Sequence, residues 1–108
     1  MPHHLTVLYP NEPDATFDVS YYLSTHIPLV SKHLSKHGLT GWDVVQYSAG
    51  PNGERPPYSI SCTLVFETAE KAGAGLASAG GKLVADDISN FSNKAPVILG
   101  GKLLETQR

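Results

Sequence analysis

Cysteine is nearly absent from this chain. Cys62 stands alone, which excludes an internal disulfide and a cysteine-built zinc site. It falls within an alternating apolar series, so it reads as a buried, inert thiol more readily than as a nucleophile. No excess of positive charge exists either: eight Lys and Arg face ten Asp and Glu, a formal net charge of -2. Without a basic stripe to displace counterions, nucleic acid is not the expected partner. No apolar run approaches the ~20 residues that cross a bilayer, so no membrane partner is expected. The start, Met-Pro-His-His-Leu, lacks a basic region followed by an apolar core, and a cytoplasmic location is the expectation. Nucleophile elbows, phosphate loops and dinucleotide fingerprints are missing too, since Gly73-Ala74-Gly75 has neither a preceding strand nor a third glycine.

The remainder is ordinary for one globular domain spanning 1–108, with 41% hydrophobic residues around a core and only 17% charged. His4 to Tyr9 alternates as a strand, with Leu5, Val7 and Tyr9 on one face. Pro10-Asn11-Glu12-Pro13-Asp14 ends it as a turn. A helix then starts near Thr16 or Asp18 as cap, carries the stripe Val19, Leu23, Ile27, Val30 and Leu34, and stops at Gly38. Trp42 to Ala49 and Tyr58 to Glu67 read as strands joined into a hairpin by the Gly50–Pro57 loop. A second helical region opens at Glu67 or Thr68, breaks near Gly80-Gly81, and resumes over Lys82 to Ile88. A last strand begins at Pro96, with Gly100-Gly101 as a bulge before Lys102-Leu103-Leu104. The order β-α-β-β-α-β predicts an α+β, ferredoxin-like fold in which helices cover one face of a four-stranded antiparallel sheet. The other face, with Thr6, Leu8, Ser59, Ser61, Thr63 and Val65, is too neutral for an ordinary solvent face, and a second copy of the chain would cover it.

Chemistry concentrates between Phe17 and Leu29. Tyr22 and His26, four residues apart, share a helix face, and Pro28 cannot donate to the carbonyl of Ser24. His26 is the candidate general acid/base, because imidazole titrates near neutrality. The competing reading is a core histidine bonded to a backbone carbonyl. Tyr22 is the candidate partner for a substrate oxygen, or else a core aromatic. Tyr21 points about 100° away and cannot join Tyr22 in one pocket unless the helix is distorted. Asp18 can cap the helix, or bond the Tyr22 hydroxyl and orient His26 through it. Asn90 and Ser92 can bring polar groups to a pocket mouth or close their own turn. His33 and His37 share a face, but Lys32 and Lys36 beside them and the lack of a nearby carboxylate speak against a metal site. Asp86 and Asp87 diverge as helix neighbours and do not form a carboxylate pair.

The opening strand ending Leu8-Tyr9-Pro10, then Phe17-Asp18, Tyr21-Tyr22 and His26-Ile27-Pro28-Leu29, resemble the EthD family, named from an ether-degradation gene cluster. Asp87-Ile88-Ser89-Asn90-Phe91 and Pro96-Val97-Ile98 are similar to it as well, in the family's order across nearly the whole chain. Asn93-Lys94-Ala95 and Gly100-Gly101 depart from its pattern. The resemblance implies a dimeric α+β barrel, a setting in small-molecule catabolism or secondary metabolism, and no bound metal or organic cofactor. The expectation is therefore a homodimeric, cofactor-free dehydratase, lyase or isomerase acting on a hydrophobic aromatic or polyketide-like molecule. His26 and Tyr22 would be catalytic, with Asp18, Asn90 and Phe91 as substrate contacts. A cofactor-independent monooxygenase and a non-catalytic binding protein are the alternatives.

Overall fold

The computed structural model describes residues 2–108. Strand β1 (His3–Pro10) leads into α1 (Val19–Tyr21), a π turn (Tyr22–His26), α2 (Ile27–Leu34) and a 3-10 turn (Ser35–His37), which run on as one helix. The hairpin β2 (Leu39–Gln46) and β3 (Tyr58–Phe66) follows, then α3 (Ala69–Ala77), α4 (Ala79–Asp86), a 3-10 turn (Asp87–Asn90) and β4 (Val97–Lys102). The sheet order is β2-β3-β1-β4, antiparallel throughout, with β3 and β1 as the central pair. This is the ferredoxin-like α+β plan expected from the element order.

Alternation in β1 and β3 sends Leu5, Tyr9, Ile60, Cys62, Leu64 and Phe66 into one buried layer beneath the helices. Val7 faces Cys62 on one side and Ile98 on the other, which sets the register of three strands at once. Asp18 accepts from the Tyr21 amide as helix cap, and Gly38 closes the helix in the left-handed conformation at φ 83°. The opposite sheet face leaves Val45, Val97 and Leu99 between 38% and 57% exposed.

Four sequence expectations shift. Strand β2 begins at Leu39, not Trp42, and ends at Gln46, because the buried Leu39 pairs with Phe66 directly after the Gly38 stop and a bulge at Thr40 absorbs the offset. The second helical region breaks at Ser78, not at Gly80-Gly81. Ser78 is extended (φ -72°, ψ 165°), and its hydroxyl caps α4 through the Gly81 amide. The two glycines lie in the first turn of α4, pressed against the neighbouring helices, where Gly80 meets the His33 side chain and Gly81 the carbonyls of Gly75 and Leu76. Gly100 and Gly101 form no bulge; they pair regularly with Leu5 and His4, and Gly100 leaves room for the His3 ring. Leu23, expected on the buried stripe, is 51% exposed. The π turn, marked by an Ile27 amide bonded to the Tyr22 carbonyl, adds a residue to that turn and gives the inward positions to Tyr22 and His26. Pro28 at the start of α2 supplies a cause: it lacks an amide hydrogen, and its ring would crowd the carbonyl four residues back in a regular helix.

Candidate active site

Between the helices and the sheet lies a cavity of about 80 Å³. Its floor is aliphatic, from Leu5, Val7 and Leu64, and its roof comes from Val30 of α2 and Val84 and Ala85 of α4. Ile98, half exposed on the edge strand, stands at its rim. The wall is apolar except for one imidazole, two phenols and a thiol: His26, Tyr9, Tyr22 and Cys62. No Lys, Arg, Asp or Glu lines it among the described residues. Such a space holds several waters or the reacting end of a small molecule.

His26 is 4% exposed, neither in bulk solvent nor bound to main chain. Its Nδ1 lies 2.9 Å from Oδ2 of Asp87; Nε2 makes no hydrogen bond among the described residues and is not fully closed off, retaining some accessible surface. A carboxylate only accepts, so Nδ1 carries the hydrogen in the neutral ring and Nε2 keeps its lone pair. Burial lowers the pKa of His26 and Asp87 partly opposes that, leaving the ring below its ordinary value and neutral at pH 7. Burial raises Asp87, but hydrogen bonds from Tyr21, Asn90 and His26 together outweigh it and hold the carboxyl below the usual range. The Tyr21 hydroxyl donates to Oδ1 at 2.6 Å and the Asn90 amide donates to the same oxygen at 2.9 Å.

Two connections bring Asp87 to this place. The Asp18 amide donates to the Phe91 carbonyl at 2.8 Å, and Phe17 pairs with Ser92, so the segment after α4 is sewn to the start of the helix. Asn93 and Lys94, where the chain departs from the EthD pattern, fasten the same loop: Asn93 accepts from the Thr16 amide and Lys94 pairs with Asp14 at 2.9 Å. Aromatic packing completes the frame. Tyr22 stacks on His26 (ring centres 5.3 Å apart, 19° between planes), and Phe91 meets His26 at 4.5 Å and Tyr9, Phe17 and Tyr22 at 5.0 to 5.6 Å.

The residues singled out from sequence thus separate. His26 and Tyr22 line the cavity side by side. Burial pushes the Tyr22 phenol far up, with Cys62 and Tyr9 adding to it, so its hydroxyl is a neutral hydrogen-bonding group and a poor acid. The Cys62 thiol is pushed up to about 11 by burial, which suits an inert side chain. Asp18 is exposed and engaged with the Tyr21 amide as cap; it lies away from the cavity wall. Asn90 and Phe91 touch the His26–Asp87 pair and not the cavity, Asn90 through Asp87 and Phe91 through the imidazole ring. His33 and His37 pack against Gly80 and Gly75. Sequence reasoning missed Asp87 as the partner of His26 and Tyr21 as a second group on it. They stand 61 and 66 residues from their partner across the contact, a separation no local spacing reveals. Only the Asp87–Phe91 resemblance marked that segment.

No family model matches the chain, and no curated protein matches it. Solved structures do. An EthD-like protein from Ralstonia eutropha JMP134 superposes with a TM-score of 0.89 at 26% identity, over 98% of this chain and 95% of that one. An EthD (ethyl tert-butyl ether) family protein from Bacillus halodurans C-125 gives a TM-score of 0.77 at 23% identity, over 96% of this chain and 100% of the other. A dimeric ferredoxin-like protein from Jannaschia sp. CCS1 shares the fold at a TM-score of 0.65 and 10% identity, over 94% and 98% of the two chains. The chain thus has the α+β, ferredoxin-like architecture and is similar to EthD-like proteins over nearly its whole length.

Proposed function

We propose that this protein is a cofactor-free enzyme that moves protons on a hydrophobic, oxygen-bearing small molecule, and that it acts as a dehydratase or lyase. The observation that carries the reading is the unpartnered Nε2 of a neutral, buried His26 whose other nitrogen is held by Asp87 beside an apolar cavity. In that state the ring accepts a proton from carbon next to a substrate carbonyl, and the C–H electron pair passes into the enolate. Asp87 stabilises the imidazolium formed. The imidazolium then returns the proton to a departing hydroxyl, so that water leaves and the ring is neutral again. Tyr22 offers a neutral hydroxyl to the substrate oxygen. The absence of charge on the cavity wall favours an uncharged, ring-bearing substrate.

A second copy of the chain across the open sheet face belongs to the same reading. Val45, Val97 and Leu99 are exposed there, and joining two such faces closes a barrel with the helices outside. The test is turnover of a panel of anthrones, naphthols and hydroxy-ketones by wild type and His26→Ala. Loss of a hundredfold or more is expected, in the range of ~100- to 10,000-fold for a general acid/base. Equal turnover by both proteins removes His26 from its role. Binding of panel members with no turnover by either protein identifies a carrier instead.

A further inference from the structure

Tyr21 and His26 are five residues apart, and in a regular α-helix they would point about 140° away from each other. Here both reach the same carboxylate. The intervening turn is π-helical, with the Ile27 amide bonded five residues back to Tyr22, a geometry that brings residues five apart onto one face. Tyr21 donates to Oδ1 of Asp87 at 2.6 Å while His26 Nδ1 meets Oδ2 at 2.9 Å. The carboxylate therefore spends one oxygen on Tyr21 and Asn90 and presents the other to the imidazole.

We propose that the π turn is the device that arms His26, and that Tyr21 is a positioning residue whose hydroxyl fixes which way Asp87 faces and so which ring nitrogen stays free at the cavity. This rests on the catalytic reading of His26 but concerns how the ring is set, which can be measured without a substrate. With Oδ1 claimed by two donors, Asp87 cannot swing away, and Oδ2 must receive the hydrogen of Nδ1. Nε2 is then the basic atom in every folded molecule, without a penalty for choosing a tautomer during the reaction. Removing the Tyr21 hydroxyl also leaves more negative charge on the carboxylate for the imidazolium, so His26 should become easier to protonate. The other titratable groups facing the ring are few. Tyr9 comes from β1, Cys62 from β3 and Tyr22 from the same helix, while α2, α3, α4 and β4 offer only aliphatic side chains or glycine to the cavity.

Ring ¹⁵N shifts of His26, followed against pH in wild type, Tyr21→Phe, Asp87→Asn and the double variant, test this. Wild type should show the hydrogen on Nδ1. Tyr21→Phe should keep that tautomer while its midpoint rises by about half a pH unit. In Asp87→Asn, Tyr21 still claims the amide oxygen, so the amide NH₂ should face the ring and drive the hydrogen to Nε2. Adding Tyr21→Phe leaves Asn90 as the one remaining donor to that oxygen, so the share of rings with hydrogen on Nδ1 should rise above that in Asp87→Asn. With a turned-over substrate, Asp87→Asn should lose on the order of a thousandfold in kcat with KM little changed, as expected when the wrong nitrogen is basic. A wild-type ring protonated on Nε2 overturns the proposal. So does a Tyr21→Phe midpoint equal to wild type, or a double variant indistinguishable from Asp87→Asn. If Asp87→Asn fails to fold, the Tyr21→Phe titration alone decides. Should His26→Ala retain turnover while the tautomer follows this pattern, the catalytic reading falls and the positioning one stands.

Discussion

Replacing Phe91 by alanine should be among the most damaging single changes this domain can suffer, without touching the cavity. The ring is 4% exposed and packs on Tyr9, Phe17, Tyr22 and His26, with Tyr21 stacked beyond at 6.2 Å. Truncating a buried phenylalanine costs about 3–5 kcal/mol through lost burial and the void left behind. The aromatic neighbours place this site toward the upper part of that range, since each favourable ring pair adds roughly 0.5–1.5 kcal/mol, though not additively. A domain of this size has only about 5–15 kcal/mol in hand, so the loss amounts to a large fraction of its stability. Phe91→Leu, which keeps most of the volume but gives up the ring pairs, should cost clearly less than Phe91→Ala. Urea titrations followed by circular dichroism, at one fixed protein concentration, give both differences from the midpoint and slope. Turnover by Phe91→Leu should show an unchanged KM, because the ring supports His26 from behind and meets no ligand. A Phe91→Ala protein within about 1 kcal/mol of wild type would show that the ring cluster is not the support described. A tenfold rise in KM for Phe91→Leu would return this residue to the substrate-binding role expected from sequence.

Acidification should weaken the fold by two routes with the same sign. His26 titrates lower folded than unfolded, so as pH falls past about 6.5 the unfolded chain takes up the proton first and stability declines until the folded ring also protonates. The Asp87 contribution, present above the unfolded value of about 3.9, disappears as pH falls through the depressed folded value. His26→Gln should flatten the dependence of unfolding free energy on pH between 7 and 5; an unchanged slope would deny His26 this role. Gly81→Ala drives a methyl group into the carbonyls of Gly75 and Leu76 and should destabilise by about 1–3 kcal/mol, whereas Gly73→Ala, with open space around it, should stabilise α3 by up to about 1 kcal/mol. Equal effects in urea titrations would contradict the close approach of α3 and α4. Val45→Glu with Leu99→Lys should convert a twofold assembly to monomers in sedimentation velocity, and a wild type already monomeric at micromolar concentration would leave the open sheet face unexplained.

The strands β1 and β3 were legible because their core-facing side chains recur every second residue, Leu5, Val7 and Tyr9 in one and Ile60, Cys62, Leu64 and Phe66 in the other. The helix stop was equally plain, since Gly38 sits in a conformation that favours glycine. Strand β2 was misplaced by three residues because Gly41 and the bulge at Thr40 blur its alternation just where Leu39 enters the core. The break between α3 and α4 was assigned to glycines by propensity, but packing decided it: Gly80 and Gly81 are there to let helices touch, and Ser78 makes the corner. Pro28 and the Tyr22–His26 spacing marked the right segment. They did not disclose the π turn, since Pro28 removes one helical bond without dictating how the backbone closes around the gap. Nor could Asp87 be matched to His26, because that contact exists only after the loop around Phe91 is stitched to Asp18.

Ser78 gives the cavity an architecture of its own. Its backbone amide and hydroxyl both donate to the Gly75 carbonyl and finish α3, and the hydroxyl oxygen accepts from the amide of Gly81. One side chain is thus the pivot from which half the ceiling over His26 is hung. Val84 and Ala85 reach the cavity from the helix that starts at this corner, so replacing Ser78 by alanine would loosen the footing of that wall without altering any group that faces a solute.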